Sequence, residues 1–391
     1  MYTLVTNRSI TNGRYYGSRT YSVANKWIYH IGNSSEVEAS DKGNEIIDLR
    51  GLTVMPGLID IHTHGLMGYN IMTASPAEIN EISKCKLQEG VTGFFPTTMA
   101  ASKDETQKVV DNIQTAVLNG IDGASILGIT LEGPWVNKEK PGALQAQHFQ
   151  PINVDELASF VFNAQLAVPG GLVNVTIAPE LPNAIEAIKS LSAFGVNCCL
   201  GHSVATYDQA KAGVEAGAKI ATHAYNGMNQ MHHRDPGLVG AVLTTEHLAA
   251  EIICDLVHVH PAAVDLAVKA KGSRNIILVT DSIAAAGLPD GTYNAGEMQL
   301  IKKDGVVRTP EGILAGSCVG LMECVRNMYE VVGIPLVEAV AMATETPARV
   351  VGTFQSVGSL ERNKNANIIA IDDDFNVRFV MVSGEIKVPL R

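Results

Sequence analysis

Six cysteines occur in the 391 residues, and no two of them form a C-x-x-C pair. Cys85, Cys198, Cys199, Cys254, Cys318 and Cys324 are spread along the chain, several of them in apolar runs. That spacing excludes a disulfide framework and a thiolate zinc site, and it fits small core residues in a reducing compartment. Basic residues are also scarce: 29 Lys and Arg against 40 Asp and Glu leave a net charge of −11. A general nucleic-acid binder needs basic patches to displace counterions, so that class is excluded. An anionic small molecule is not excluded, because one arginine or a helix N-terminus can hold a phosphate. No uninterrupted apolar run approaches the ~18 residues of a membrane span. The opening MYTLVTNRSITNGRYYG lacks the basic-then-apolar pattern of a signal peptide. A cytoplasmic protein without a membrane partner is expected.

With 46% hydrophobic and 18% charged residues, the chain has the composition of a globular protein with a large buried core. Its length allows two or three domains, or one large barrel with an appendage. Residues 1–52 read as strands and turns, rich in Thr, Val, Tyr and Ile, with turn signals such as Asn12-Gly13. The last stretch reads the same way, with IIAI and VRFVMV around an acidic turn. These ends, 1–52 and 353–391, predict one small β-sandwich domain built from both termini.

Between them, over 53–352, short apolar runs alternate with stretches of helical period, which predicts βα units on a parallel sheet. Eight candidate strands stand out, over 58–64, 91–98, 125–132, 172–180, 196–202, 218–226, 251–260 and 276–282. An α/β fold follows: a (β/α)8 TIM-like barrel, whose catalytic groups belong at the C-terminal ends of its strands.

The run PGLIDIHTHG places His62 and His64 two apart, and a strand sends such a pair to one face. Alone the pair is only suggestive, since two unrelated polar residues at a strand end would leave the same pattern. Glu132, His202, His223, His258 and Asp281 end the third, fifth, sixth, seventh and eighth candidate strands. Buried separately, such groups would cost several kcal/mol each. Gathered around a metal at the barrel mouth, they satisfy one another.

The motifs PGLIDIHTHG, LEGPW, GHS, THAYNGM, HHRDPG, LVHVHP, VTDS and LAGSCVGLMECVRN occur in this order. Together they resemble the amidohydrolase superfamily and, within it, the N-acetylglucosamine-6-phosphate deacetylases. The resemblance implies a metal-dependent (β/α)8 barrel with a small β-sandwich domain. It implies a divalent metal (zinc, iron or manganese), one or two ions per subunit, held by Glu132, His202 and His223, with His62 and His64 as second-site ligands. The fourth candidate strand, LVNVTIAPE, has no lysine, which disfavours the branches that use a carboxylated lysine.

By the same resemblance Asp281 is the catalytic acid–base group. The implied reaction releases acetate and glucosamine 6-phosphate from N-acetylglucosamine 6-phosphate. A bound metal lowers the pKa of water from 15.7 to about 7, worth roughly 12 kcal/mol at 1.36 kcal/mol per unit. A positioned general base adds roughly 3–5 kcal/mol, or 10²–10⁴-fold. Asn226, Gly227, Arg234 and His258 fall on sugar and phosphate contacts, with Arg234 reaching a neighbouring subunit's site in a homodimer. Val319, Gly320 and Leu321 fall on the loop that closes over the sugar. In GALQAQHF, beside Ala143, Leu144 stands where the family carries a polar side chain. A loop shifted by one residue would bring Gln145 into that role. Otherwise the carbonyl is polarised by metal alone, with Leu144 packed beside it. Two alternatives remain in view: the C4-epimeric N-acetylgalactosamine 6-phosphate as substrate, and an inactive amidohydrolase-like binding scaffold.

Overall fold

A computed structural model describes residues 1–33, 43–295 and 298–390. Eight parallel strands follow one another around a barrel: Leu58–Thr63, Val91–Thr98, Ile129–Glu132, Val173–Ile177, Asn197–Leu200, Ile220–Ala221, Ala249–Ile253 and Ile276–Val279. They are numbered first to eighth below. All are buried along their whole length, as parallel strands covered on both faces must be. The third carries a short forerunner, Ser125–Ile126, which also pairs with the second strand.

The seam between eighth and first strands has no continuous ladder. Backbone bonds just beyond the eighth strand close it, from Asp281 N–H to His62 O (2.9 Å) and from His64 N–H to Ser282 O (2.8 Å). Beneath it, Asp60 accepts Thr280 Oγ1 at 2.7 Å, and Lys86 Nζ sits 3.0 Å from the same carboxylate and 3.2 Å from Ser282 Oγ. Lys86 and Asp60 are both fully buried. They join the helix Pro76–Lys86 to the seam.

The strands end sooner than the apolar runs do. His202, His223, Leu256 and Asp281 have φ of 46°, 26°, 64° and 48°, so the chain leaves β geometry where the expected site residues begin. The helices start on local signals. Ser75 and Ser102 form reciprocal capping boxes with Glu78 and Glu105 at the heads of Pro76–Lys86 and Lys103–Asn119. Thr206 and Gln209 do the same for Tyr207–Glu215.

The termini build two facing sheets. One has the order Trp27–Gly32, Arg19–Ala24, Tyr2–Thr6, Glu45–Asp48. The other runs Glu385–Val388, Val377–Val382, Ile368–Ile371, Thr53–Pro56, Ser9–Thr11, Arg14–Tyr16. Thr53–Pro56, which a boundary at 52 leaves with the barrel, is a strand of this second sheet. Alternation explains how it serves two cores. Ile368, Ala370, Phe379 and Met381 face the sandwich interior with Leu4, Tyr21 and Ile28. Their neighbours Ile369, Ile371, Val380 and Val382 face the barrel core.

After the eighth strand comes a three-stranded antiparallel insert, Gly291–Ala295, Met298–Lys303 and Val306–Arg308, which the sequence reading does not anticipate. It leans over the barrel mouth. No helix among the described residues is long and apolar enough to cross a membrane.

Candidate metal centre and active site

His62 lies in the first strand and His64 just past its end. The two-residue period turns both rings inward, with Nε2 atoms 3.3 Å apart. Glu132, last in the third strand, reaches between them and two further histidines. One of its oxygens is 3.3 Å from His64 Nε2; the other is 3.5 Å from His62, 3.2 Å from His202 and 2.9 Å from His223, all at Nε2. The result is two overlapping groups, His62–His64–Glu132 and Glu132–His202–His223, whose ligand atoms lie within 4.8 Å of one another. Asp281 Oδ1 is 3.2 Å from His64 Nε2. All six residues are at least nine-tenths buried.

The outer ring nitrogens show what this cluster is built to hold. His62 Nδ1 meets Glu251 Oε2 at 3.1 Å, His64 Nδ1 meets Thr97 O at 3.1 Å, and His202 Nδ1 meets Lys140 O at 2.7 Å. These partners are acceptors, so each ring carries a hydrogen on Nδ1 and, when neutral, aims a bare Nε2 lone pair inward. Three such lone pairs and a carboxylate converge on one small space. Protons on these nitrogens or a metal ion would relieve that repulsion, and imidazole with carboxylate suits a divalent transition metal. His223 differs: its buried Nδ1 has no hydrogen-bond partner among the described residues.

The local field agrees. Burial alone would lower the His62 pKa, yet Glu132, Glu251 and Asp281 outweigh it and push it up to about 10. His64, also opposed by burial, is pushed up to about 9 by Asp281 and Glu132. Burial raises the Glu132 carboxyl, and the surrounding histidines override it, leaving its pKa well below the ordinary range. A field that loads rings with protons also holds a metal ion, which displaces those protons on binding.

A pocket of about 380 Å³ opens over the cluster. Ala143, Leu144, Asn226, Gly227 and His258 line it, as the sequence reading expects. Asp255 holds the His258 ring through Nδ1 at 2.6 Å. Two expectations differ from the lining of this pocket. The wall beside the insert is Leu314, Ala315 and Gly316, not Val319, Gly320 and Leu321. Val319 and Leu321 are buried in the barrel core, and Gly320 caps the helix Leu321–Glu330. Gln145 does not line this pocket; its Oε1 accepts Gln147 Nε2 at 2.9 Å beside a neighbouring cavity. A Leu144 N–H to Pro141 O turn at 2.9 Å keeps Leu144 in register instead. Arg234 is exposed and outside the lining, with Nη1 2.8 Å from His233 Nε2. Sequence reasoning missed Glu251, which also accepts the His223 backbone N–H at 3.2 Å. Its one signal was a charge inside the apolar seventh strand. It missed the insert's Met298, Leu300 and Arg308 as well, which share the pocket wall.

Known proteins resemble this chain in sequence and fold. The amidohydrolase family profile matches residues 53–387. The N-acetylglucosamine-6-phosphate deacetylase of Vibrio furnissii is 40% identical over 91% of this chain and 88% of its own length. The N-acetylgalactosamine-6-phosphate deacetylase of Escherichia coli O157:H7 is 38% identical over 85% of this chain and 86% of its own. The crystal structure of N-acetylglucosamine-6-phosphate deacetylase from Pasteurella multocida superposes with a TM-score of 0.92 at 30% identity, covering 99% of both chains. With its barrel, its inward ring of histidines and these relatives, the chain belongs to the amidohydrolase family, beside the N-acetylglucosamine-6-phosphate deacetylases.

Proposed function

We propose that the protein hydrolyses the N-acetyl group of N-acetyl-D-glucosamine 6-phosphate, giving D-glucosamine 6-phosphate and acetate. The carrying observation is Asp281, whose carboxylate stands 3.2 Å from His64 Nε2 at the edge of two histidine–glutamate groups sharing Glu132. Glu132, His202 and His223 would hold one divalent ion, and His62 and His64 with Glu132 a second. Zinc, iron and manganese all suit this donor set. When bound, such an ion supplies Lewis-acid activation of water and of the amide carbonyl.

The chain's own residues do the rest. Asp281 takes a proton from the attacking water and returns it to the departing nitrogen as the C–N bond breaks. The histidine Nδ1 bonds to Glu251, Thr97 and Lys140 keep the rings aimed, so little reorganisation accompanies the reaction. Asn226, the Gly227 backbone and His258 form the polar wall for the sugar and its phosphate. Arg234, exposed on its own subunit, would serve a neighbour's pocket in a homodimer, where its planar fork suits a phosphate. Six free cysteines fit a cytoplasmic setting.

The test is acetate release from the gluco and galacto 6-phosphates, with metal analysis of the same protein. Faster turnover of the galacto epimer would move the assignment to that sugar. A metal-free protein releasing no acetate from either would favour the binding scaffold. Substituting His62 and His64 together should leave one metal per chain. Loss of both ions would show that the two groups bind as one.

A further inference from the structure

The eight strands circle the barrel in chain order, so the ends of the second and third face those of the sixth and seventh across the mouth. The pocket's two walls follow that division. Asn226, Gly227 and His258, after the sixth and seventh strands, make it polar on one side. Met99, after the second strand, and Leu144, after the third, make it apolar on the other, joined by Met298 and Leu300 of the insert. Behind this apolar wall lies a second cavity of about 230 Å³, and Met99, Leu144 and Met298 line both. Met72, Ala100 and Ala101 continue its apolar lining, while Thr73, Glu105, Gln145 and His148 form its polar, more exposed side.

A phosphorylated amino sugar seated on the polar wall, with its amide over the histidine cluster, directs its acyl chain at the partition. This step rests on the deacetylase reading. Two of the three partition side chains are methionines, which are unbranched and repack readily around an added group. Leu144 offers the acyl chain only apolar contact. We propose that the protein also hydrolyses N-acyl groups longer than acetyl, up to a four-carbon chain, from the same phosphorylated amino sugar. The tail passes between Met99 and Met298 into the second cavity. The chemistry is unchanged: the C–N bond breaks, the water oxygen bonds to the acyl carbon, and a water proton goes to the nitrogen. The products are the free amine and the longer carboxylate.

A closed methyl pocket rejects one additional methylene by roughly 10- to 200-fold. The metal-loaded protein should instead cleave the N-butyryl substrate with kcat/KM within tenfold of N-acetyl. Thr73→Trp, which fills the second cavity from its exposed side, should lower the butyryl rate at least tenfold and leave the acetyl rate within threefold. Ala101→Leu, read by the same ratio, covers the case in which the tryptophan unfolds the chain. A wild-type butyryl rate below a tenth of the acetyl rate would overturn the proposal, as would equal loss on both substrates in the variants. If no acetate is released from the N-acetyl substrate either, the deacetylase reading falls, and the acyl subsite with it.

Discussion

Glu251 Oε2 lies 3.1 Å from His62 Nδ1 and, through the same oxygen, accepts the backbone N–H of His223 at 3.2 Å. One buried carboxylate on the seventh strand therefore orients a ligand of each histidine group. Replacing a residue that orients a metal ligand typically costs 10–100-fold in metal affinity or activity. Glu251→Gln keeps shape and loses charge, so metal affinity should fall by that amount while the fold survives. Competition with a chelator measures it, and unchanged affinity would remove Glu251 from the site.

Asp281→Asn cannot take the proton from water. The variant should keep its fold and most of its metal while kcat falls at least 10²-fold. Steady-state kinetics on metal-loaded protein decides the matter. Retention of a tenth of wild-type turnover would sink the assignment.

Arg234 is exposed and lies outside its own subunit's pocket lining. Arg234→Ala should raise KM for the phosphorylated sugar and leave an unphosphorylated analogue nearly untouched. Sedimentation of the wild-type chain should show a dimer. An equal loss on both substrates would mean that Arg234 does not read phosphate.

Lys86→Met strips the buried Asp60 carboxylate of its cation, 3.0 Å away. Breaking a buried pair from one side costs about 3–5 kcal/mol. The denaturant midpoint should drop accordingly, and adding Asp60→Asn should restore part of the loss. A change under about 1 kcal/mol would show that the pair does not secure the seam.

The sequence was most readable where the backbone period speaks directly. His62 and His64 share a face because a strand repeats every two residues, and IIAI and VRFVMV are strands at the positions they suggest, Ile368–Ile371 and Val377–Val382. Glu132 ends its strand, as expected of a TIM-like barrel. The carbonyls of Thr97 and Lys140 were not readable, because every residue has one and only folding aims it. Glu251 was hidden similarly, since its partners, the His62 ring and the His223 backbone, come from other segments of the barrel. The shift from Val319–Leu321 to Leu314–Gly316 has a local cause: the chain turns into a helix at Leu321, earlier than an open loop allows. The insert after the eighth strand escaped because its short strands lack a continuous apolar run.

The sandwich joins strands from opposite ends of the chain, with Leu4, Tyr21 and Ile28 packed against Ile368, Phe379 and Met381. On a ribosome adding about 5–20 residues per second, the early strands wait roughly tens of seconds for that cover. Throughout this interval their apolar face lacks the cover that Ile368, Phe379 and Met381 supply, and the barrel core lacks Ile369 and Val380. The domain that begins the chain is thus finished only as the chain ends. A chaperone that shields the first strands would protect the yield of this protein.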